Sequence, residues 1–189
     1  MRAAILLAAG ASSRMGTHKA LLAWHGTTLL AYALSELRLA GAEQLVVVLG
    51  LKHAQIEAAV PDLAGATVAL NLDEASERSG SIRIGAAAVS DAATAIIVQS
   101  VDQPCSADLL RQLYAAQAEI AVPSRDGRRG HPVCFSGRLL HELRTVSEVD
   151  QGLRAVVRRH PVLEVPVTGD TVFWNLNDPQ AYAEALAAQ

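Results

Sequence analysis

The chain has 189 residues, 51% of them hydrophobic and 19% charged, which suits one core-bearing domain, 1–189, and is short for two. A formal net charge of −3 gives no broad attraction to nucleic acid or to an anionic membrane, so any work done by basic residues is local. Cys105 and Cys134 are far apart and lack a metal-type spacing, and no 18-residue apolar run occurs, so the expectation is a soluble, cytoplasmic protein with reduced thiols.

Taken in chain order, the first apolar run, Ala3 to Leu7, reads as a buried strand that opens into Leu7-Ala8-Ala9-Gly10-Ala11-Ser12-Ser13-Arg14-Met15-Gly16-Thr17-His18-Lys19. Gly10 and Gly16 let backbone approach a ligand without interference from a Cβ, N–H groups can point at phosphate oxygens, and Arg14 and Lys19 add full positive charge. Phosphate is the natural guest of such a loop. It is not a Walker A motif, because Gly10 and Gly16 stand one residue too far apart and Lys19 lies three residues beyond the second glycine. It is not the dinucleotide fingerprint either. Ser12 holds the place of the second glycine, and the next strand ends in Leu49-Gly50 without an acid for a ribose.

Leu29, Leu30, Ala33, Leu34, Leu37 and Ala40 then recur at helical spacing, followed by strand-like runs at Gln44 to Leu49, Val68 to Leu72 and Ala95 to Ser100. Asp102 comes just past the last of these and ahead of Gln103-Pro104, so its carboxylate is expected at the sheet's carboxyl edge, where it could meet a magnesium ion or cap the helix beginning near Ser106. Leu109, Leu110, Leu113 and Ala116 stripe that helix. Strands follow at Ile120 to Pro123, Val133 to Phe135 and Val162 to Val167. The glycine-bounded segment Gly127 to Pro132 carries Arg128, Arg129 and His131, which could grip an anionic acceptor or simply face water. Near the end, alternation aims Asn175 and Asn177 to one side, as metal or phosphate ligands, while Asn177 or Asp178 could cap a last helix before Pro179. The alternation of strands and helices predicts a mostly parallel, three-layer α/β sandwich. Ligands in such sheets collect outside the carboxyl ends of strands, which places the glycine loop, residues 101–104 and the loop after residue 72 along one edge. No His-Glu-x-x-His spacing supports a zinc hydrolase and no Gly-x-Ser-x-Gly elbow supports a serine nucleophile.

Together these blocks resemble the molybdenum-cofactor nucleotidyltransferases, a MobA-like group with a Rossmann-like nucleotidyltransferase fold, and within it the cytidylyltransferase branch, over nearly the whole chain. Leu7 to Lys19 looks like the family's nucleotide loop, Asn71 and Ser81-Ile82-Arg83-x-Gly85 its middle block, and Asp102-Gln103-Pro104 its magnesium motif. Gly127 to Val133 and Asp150-Gln151-Gly152-Leu153-Arg154 resemble blocks on the cofactor side, and Asn175 to Pro179 falls where the family ends its active site. Ala8-Ala9-Gly10 in place of a double glycine is closer to the cytidylyl than to the guanylyl branch, whereas the cytidylyl branch usually carries Asp-x-Asp-Thr-Pro where this chain has Asn175, Asn177 and Asp178. The resemblance implies transfer of CMP from CTP to the phosphate of molybdopterin with release of pyrophosphate, with Mg2+ as cofactor and a molybdoenzyme as the eventual recipient. It assigns Lys19, Arg14 and Asp102 to catalysis; Leu7, Ala8, Ala9, Gly10, Ser12, Gly16, Asn71 and Ser81 to the nucleotide; Arg129, Gly130, His131 and Pro132 to the acceptor; and Asn175 and Asn177, beside Asp102, to the metal. Guanylyl or sugar-phosphate transfer, a non-catalytic nucleotide or cofactor carrier, and an NAD(P)H-dependent oxidoreductase on the same fold are the alternatives.

Overall fold

A computed structural model describes residues 1–10, 18–60, 63, 65–73 and 75–188. In chain order its elements are β1 (Arg2–Ala8), β2 (Ala23–Trp24), β3 (Thr27–Thr28), α1 (Leu29–Leu39), β4 (Gln44–Leu49), α2 (His53–Ala59), β5 (Ala66–Leu70), α3 (Arg78–Ala88), β6 (Ala95–Ser100), α4 (Ala107–Ala115), β7 (Ile120–Arg125), β8 (Arg128–Arg129), β9 (Val133–Ser136), α5 (Leu140–Thr145), α6 (Leu153–Arg159), β10 (Val162–Pro166) and α7 (Pro179–Ala187).

The main sheet runs β10-β7-β9-β6-β1-β4-β5, with β8 added beside β7. β1 pairs in parallel with both β4 and β6, so that Ile5 lies opposite Val46 on one side and Val98 on the other. β5 and β10 also pair in parallel, with β4 and β7, while β9 runs antiparallel to β6 and β7. Alternation along β1 explains the three layers. Ala4, Leu6 and Ala8 turn to a core shared with α1, α4 and α7, and Ala3, Ile5 and Leu7 turn to a second core with α3, α5 and α6. A central strand covered on both faces has to be apolar throughout, which is why this run reads as continuous rather than alternating. The mostly parallel, three-layer α/β sandwich anticipated from the sequence is therefore the one observed.

Local chemistry sets several boundaries. Thr28 caps α1 by accepting the Ala31 N–H at 3.2 Å, and Asp178 caps α7 by accepting that of Ala181 at 2.9 Å, with Pro179 at the first helical position. β5 occupies Ala66–Leu70 rather than Val68 to Leu72, because Asn71 turns its side chain into the following loop. β7 continues to Arg125, and the segment expected as a loop instead turns at Asp126-Gly127, both at positive φ, and folds back as β8. A hairpin of β2 and β3 that the sequence did not suggest turns at His25-Gly26, again with positive φ at both residues, as a two-residue turn requires. Cys105 and Cys134 are buried free thiols, and burial pushes both up to about 12, so they stay protonated and inert. No helix among the described residues is long and apolar enough to cross a membrane.

Candidate active site

The carboxyl ends of the parallel strands open on a cleft of about 580 Å³. Of the residues expected to meet a nucleotide, Leu7, Ala8, Ala9, Gly10, Lys19, Asn71 and Ser81 line it, and Asp102 stands on its wall. Ser12, Arg14 and Gly16 lie outside the described residues.

Strand pairing delivers Asp102 to this edge. Beyond the last ladder pair the Val101 N–H still reaches the Leu7 carbonyl at 3.0 Å, and the Gln103 N–H closes back on the Ser100 carbonyl at 3.0 Å, so the chain turns with Asp102 at its tip. The Leu176 N–H donates to the Asp102 carbonyl at 2.9 Å, which brings the segment before α7 alongside. Lys19, on a single 3-10 turn from Lys19 to Leu21, then reaches both partners: its ammonium donates to Asp102 Oδ2 at 3.2 Å and to Asn177 Oδ1. Both members of the ion pair are less than one-fifth exposed, at 18% and 17%, so solvent screens the pair weakly. Asn175 is exposed and makes none of these bonds; the Asn177 N–H folds back to the Asn175 carbonyl at 2.8 Å, a tight turn that breaks the alternation expected of an extended run.

Asn71 and Ser81 shape the opposite wall. The buried Asn71 amide donates to Ser81 Oγ at 2.8 Å and to Ser76 Oγ at 3.0 Å, tying the loop after β5 to the first turn of α3. Three further cleft residues, His18, Lys52 and Arg78, were not singled out from the sequence. His18 is buried with no partner for Nδ1 among the described residues, and burial, aided by Lys52, holds its imidazole below the ordinary value. Arg78 faces solvent at the mouth of the cleft, yet protein crowds around it; this desolvation lowers its pKa while Asp102 and Glu148 act in the opposite sense, and the guanidinium stays charged. Applying the carboxyl-edge rule to cations as well as to acids would have found Lys52, just past β4, and Arg78, just past the loop after β5.

The acceptor block is divided. Gly130 and Pro132 are buried, the Gly130 N–H donates to the Pro123 carbonyl at 2.8 Å, and the His131 N–H donates to the Val172 carbonyl at 2.9 Å, joining this block to the chain that leads to Asn177. His131 feels Arg78 and Asp102, and burial first and Arg78 second keep its imidazole below the ordinary value. Arg129 is exposed and ion-paired with Glu164 of β10 at 2.8 Å, while Arg128 lies over the Phe173 ring, 4.2 Å from its centroid.

An oxygen-loving divalent cation fits the donor set. One carboxylate and one amide oxygen already converge on a cation, the Lys19 ammonium, and no group of three or more His, Cys, Asp or Glu forms a protein-only cage among the described residues. That combination suits an ion completed by substrate phosphates and water.

Residues 4–165 match the family model of the MobA-like NTP transferase domain. The molybdenum cofactor guanylyltransferase of Xanthomonas euvesicatoria pv. vesicatoria (strain 85-10) is 33% identical, with 96% of this chain and 93% of that protein aligned. The nicotine blue oxidoreductase of Paenarthrobacter nicotinovorans is 32% identical over 84% of this chain and 82% of its own. Among solved structures, Rv0371c from Mycobacterium tuberculosis H37Rv superimposes with a TM-score of 0.88 at 33% identity, covering 98% of this chain and 96% of that one, and the same protein has been solved in complex with manganese.

Proposed function

From the membership of this chain in the MobA-like NTP transferase domain family, we propose that it transfers CMP from CTP to the phosphate of molybdopterin and releases pyrophosphate. The observation that carries the reading is the convergence of Lys19, Asp102 and Asn177 beside the loop that leaves β1. In this reaction an oxygen of the molybdopterin phosphate bonds to the α-phosphorus of CTP, the bond from that phosphorus to the bridging oxygen of the β-phosphate breaks, and pyrophosphate carries away the electron pair. A phosphate monoester has a second pKa of about 6, so near pH 7 the nucleophile is already largely ionised and needs no general base. The protein's task is to neutralise converging oxyanions and to hold them in line. Lys19 donates to phosphate oxygens, the backbone from Ala8 to Gly10 lets the triphosphate approach closely, and Arg14 adds charge from the glycine loop. Asp102 and Asn177 would hold Mg2+ or Mn2+, which when bound supplies charge neutralisation at the phosphates. Ala8-Ala9-Gly10 favours cytidine over guanosine, and His131, which feels the charges of Arg78 and Asp102, marks the acceptor's side. The product would pass to a recipient molybdoenzyme.

The test is incubation of the pure protein with CTP or GTP, Mg2+ or Mn2+, and molybdopterin, with pyrophosphate measured and the product identified by mass. A cytidine dinucleotide product is expected; a guanosine product overturns the base preference, and no pyrophosphate with either nucleotide overturns the transfer itself. The likeness to a relative named nicotine blue oxidoreductase gives redox chemistry on this fold as the second reading, which oxidation of NAD(P)H with an organic acceptor would reveal.

A further inference from the structure

Gln99 is a polar side chain where the packing calls for an apolar one. It lies in β6 opposite Leu6 of β1, shares a face of its strand with Ile97 and Val101 in the core beneath α1, α4 and α7, and is fully buried. An amide withdrawn from water is costly unless its polar atoms are paired, yet Gln99 Oε1 has no partner among the described residues. The bond that the side chain does make runs forward along the chain: Nε2 donates to the Gln103 carbonyl at 3.1 Å. A carbonyl can only accept, so this contact fixes which end of the amide faces the turn.

That bond closes a frame around Asp102. The Val101 N–H is tied to the Leu7 carbonyl and the Gln103 N–H to the Ser100 carbonyl, both at 3.0 Å, and the Asp102 carbonyl accepts the Leu176 N–H at 2.9 Å. The ladder to β9 has already ended at Val98, so from Gln99 onward β6 is paired with β1 alone. Gln103 is buried as well, and Pro104 after it has no N–H with which to continue the turn. Among the described residues the Gln99 amide is the donor that its carbonyl finds. Deleting the amide would leave that carbonyl unpaired and free the far side of the turn.

We infer that Gln99 is a positioning residue for Asp102. It does not line the cleft. It acts by holding the Gln103 carbonyl, which together with the Leu176 bond fixes the two peptide groups that follow Asp102 and so sets where the carboxylate meets Lys19 and a divalent ion. The inference rests on the transfer reading for its effect on turnover, while the placement of Asp102 is tested without turnover.

Gln99→Met has nearly the same length and no donor; Gln99→Asn keeps an amide on a stem one methylene too short. Both are compared with the parent chain, and should Gln99→Met fail to fold, Gln99→Asn carries the test. Amide hydrogen exchange at Gln103 and Leu176 should quicken roughly five- to tenfold, as the loss of one hydrogen bond implies, while amides in the middle of β6 keep their protection. Mn2+ binding to the nucleotide-free protein should weaken about ten- to a hundredfold, the usual result of removing the support behind a metal-binding group, and metal-free CTP affinity should not change. In pyrophosphate release, kcat should fall with the KM for molybdopterin unchanged. Exchange no faster than in the parent overturns the inference, and so does unchanged Mn2+ affinity in a variant of a parent that binds the ion. CTP affinity falling in step with Mn2+ affinity also overturns it, since the cleft as a whole would then have loosened. A parent chain that neither binds Mn2+ nor releases pyrophosphate overturns the transfer reading alone, and exchange then decides the role of Gln99.

Discussion

The Lys19 ammonium stands where an oxygen-bound cation would stand, between the Asp102 carboxylate and the Asn177 amide. It therefore has two opposite effects on the site. It supplies positive charge for phosphate, and it competes with a divalent ion for the same two oxygens. The Lys19→Ala variant should separate these effects: turnover should fall roughly a hundred- to a thousandfold, the usual consequence of deleting one stabiliser of a developing oxyanion, while Mn2+ binding to the nucleotide-free protein should tighten. Steady-state rates and a Mn2+ titration check both halves, and weaker Mn2+ binding in the variant would refute the competition. Lys19 and Asp102 were legible as residue types at suggestive places. The pairing with Asn177 rather than Asn175 was not, because a single backbone bond from the Asn177 N–H to the Asn175 carbonyl undoes the alternation that a reading of extended chain assumes.

Elements long enough to show a period could be read closely. Gln44 to Leu49 and Ala95 to Ser100 are strands over the very residues expected, and the helix striped by Leu109, Leu110 and Leu113 begins right after Ser106. β2, β3 and β8 have two residues each, too few for any period, and were missed. Packing distance was likewise invisible, although the site depends on it: α3 carries Arg78 and Ser81, and it can lie close against the sheet because Gly85 has no side chain. A Cβ at Gly85 would collide with the Ile5 side chain and stand 3.0 Å from Val48 Cγ2, both in the central strands. Gly85→Val should therefore overpack this seam. The expected cost is about 1 to 3 kcal/mol, or roughly 2–4 °C of melting temperature for each kcal/mol, and a variant melting with the parent would show that α3 is free to shift.

Across the whole molecule, the cleft gathers Lys19, Lys52, Asn71, Arg78 and Asp102 from the segments that follow β1, β4, β5 and β6, and the order of those strands is what makes them neighbours. Sequence could place each group at the carboxyl edge but not say which cations would face which acids, since that depends on pairing between distant segments. One consequence is global. His18 and His131 are both held below the ordinary 6.5, by burial first, with Lys52 adding to the effect at His18, and Arg78 adding to it at His131 while Asp102 opposes. In the window between the lowered folded values and 6.5, the unfolded chain binds more protons than the folded one, so stability must rise with pH there; it is complete above 6.5 and lost as pH falls through the folded values. Each histidine can contribute a slope of up to about 1.4 kcal/mol per pH unit. Urea unfolding of the nucleotide-free protein between pH 7.5 and 5 should show this fall, and His18→Gln and His131→Gln should each flatten it; the same slope in both variants would place the titration elsewhere. Because burial outweighs Arg78 at His131, Arg78→Gln should move the His131 imidazole only part of the way back toward 6.5. An NMR titration of that ring reads the shift directly, and a ring unmoved by the substitution would show that Arg78 exerts no field there.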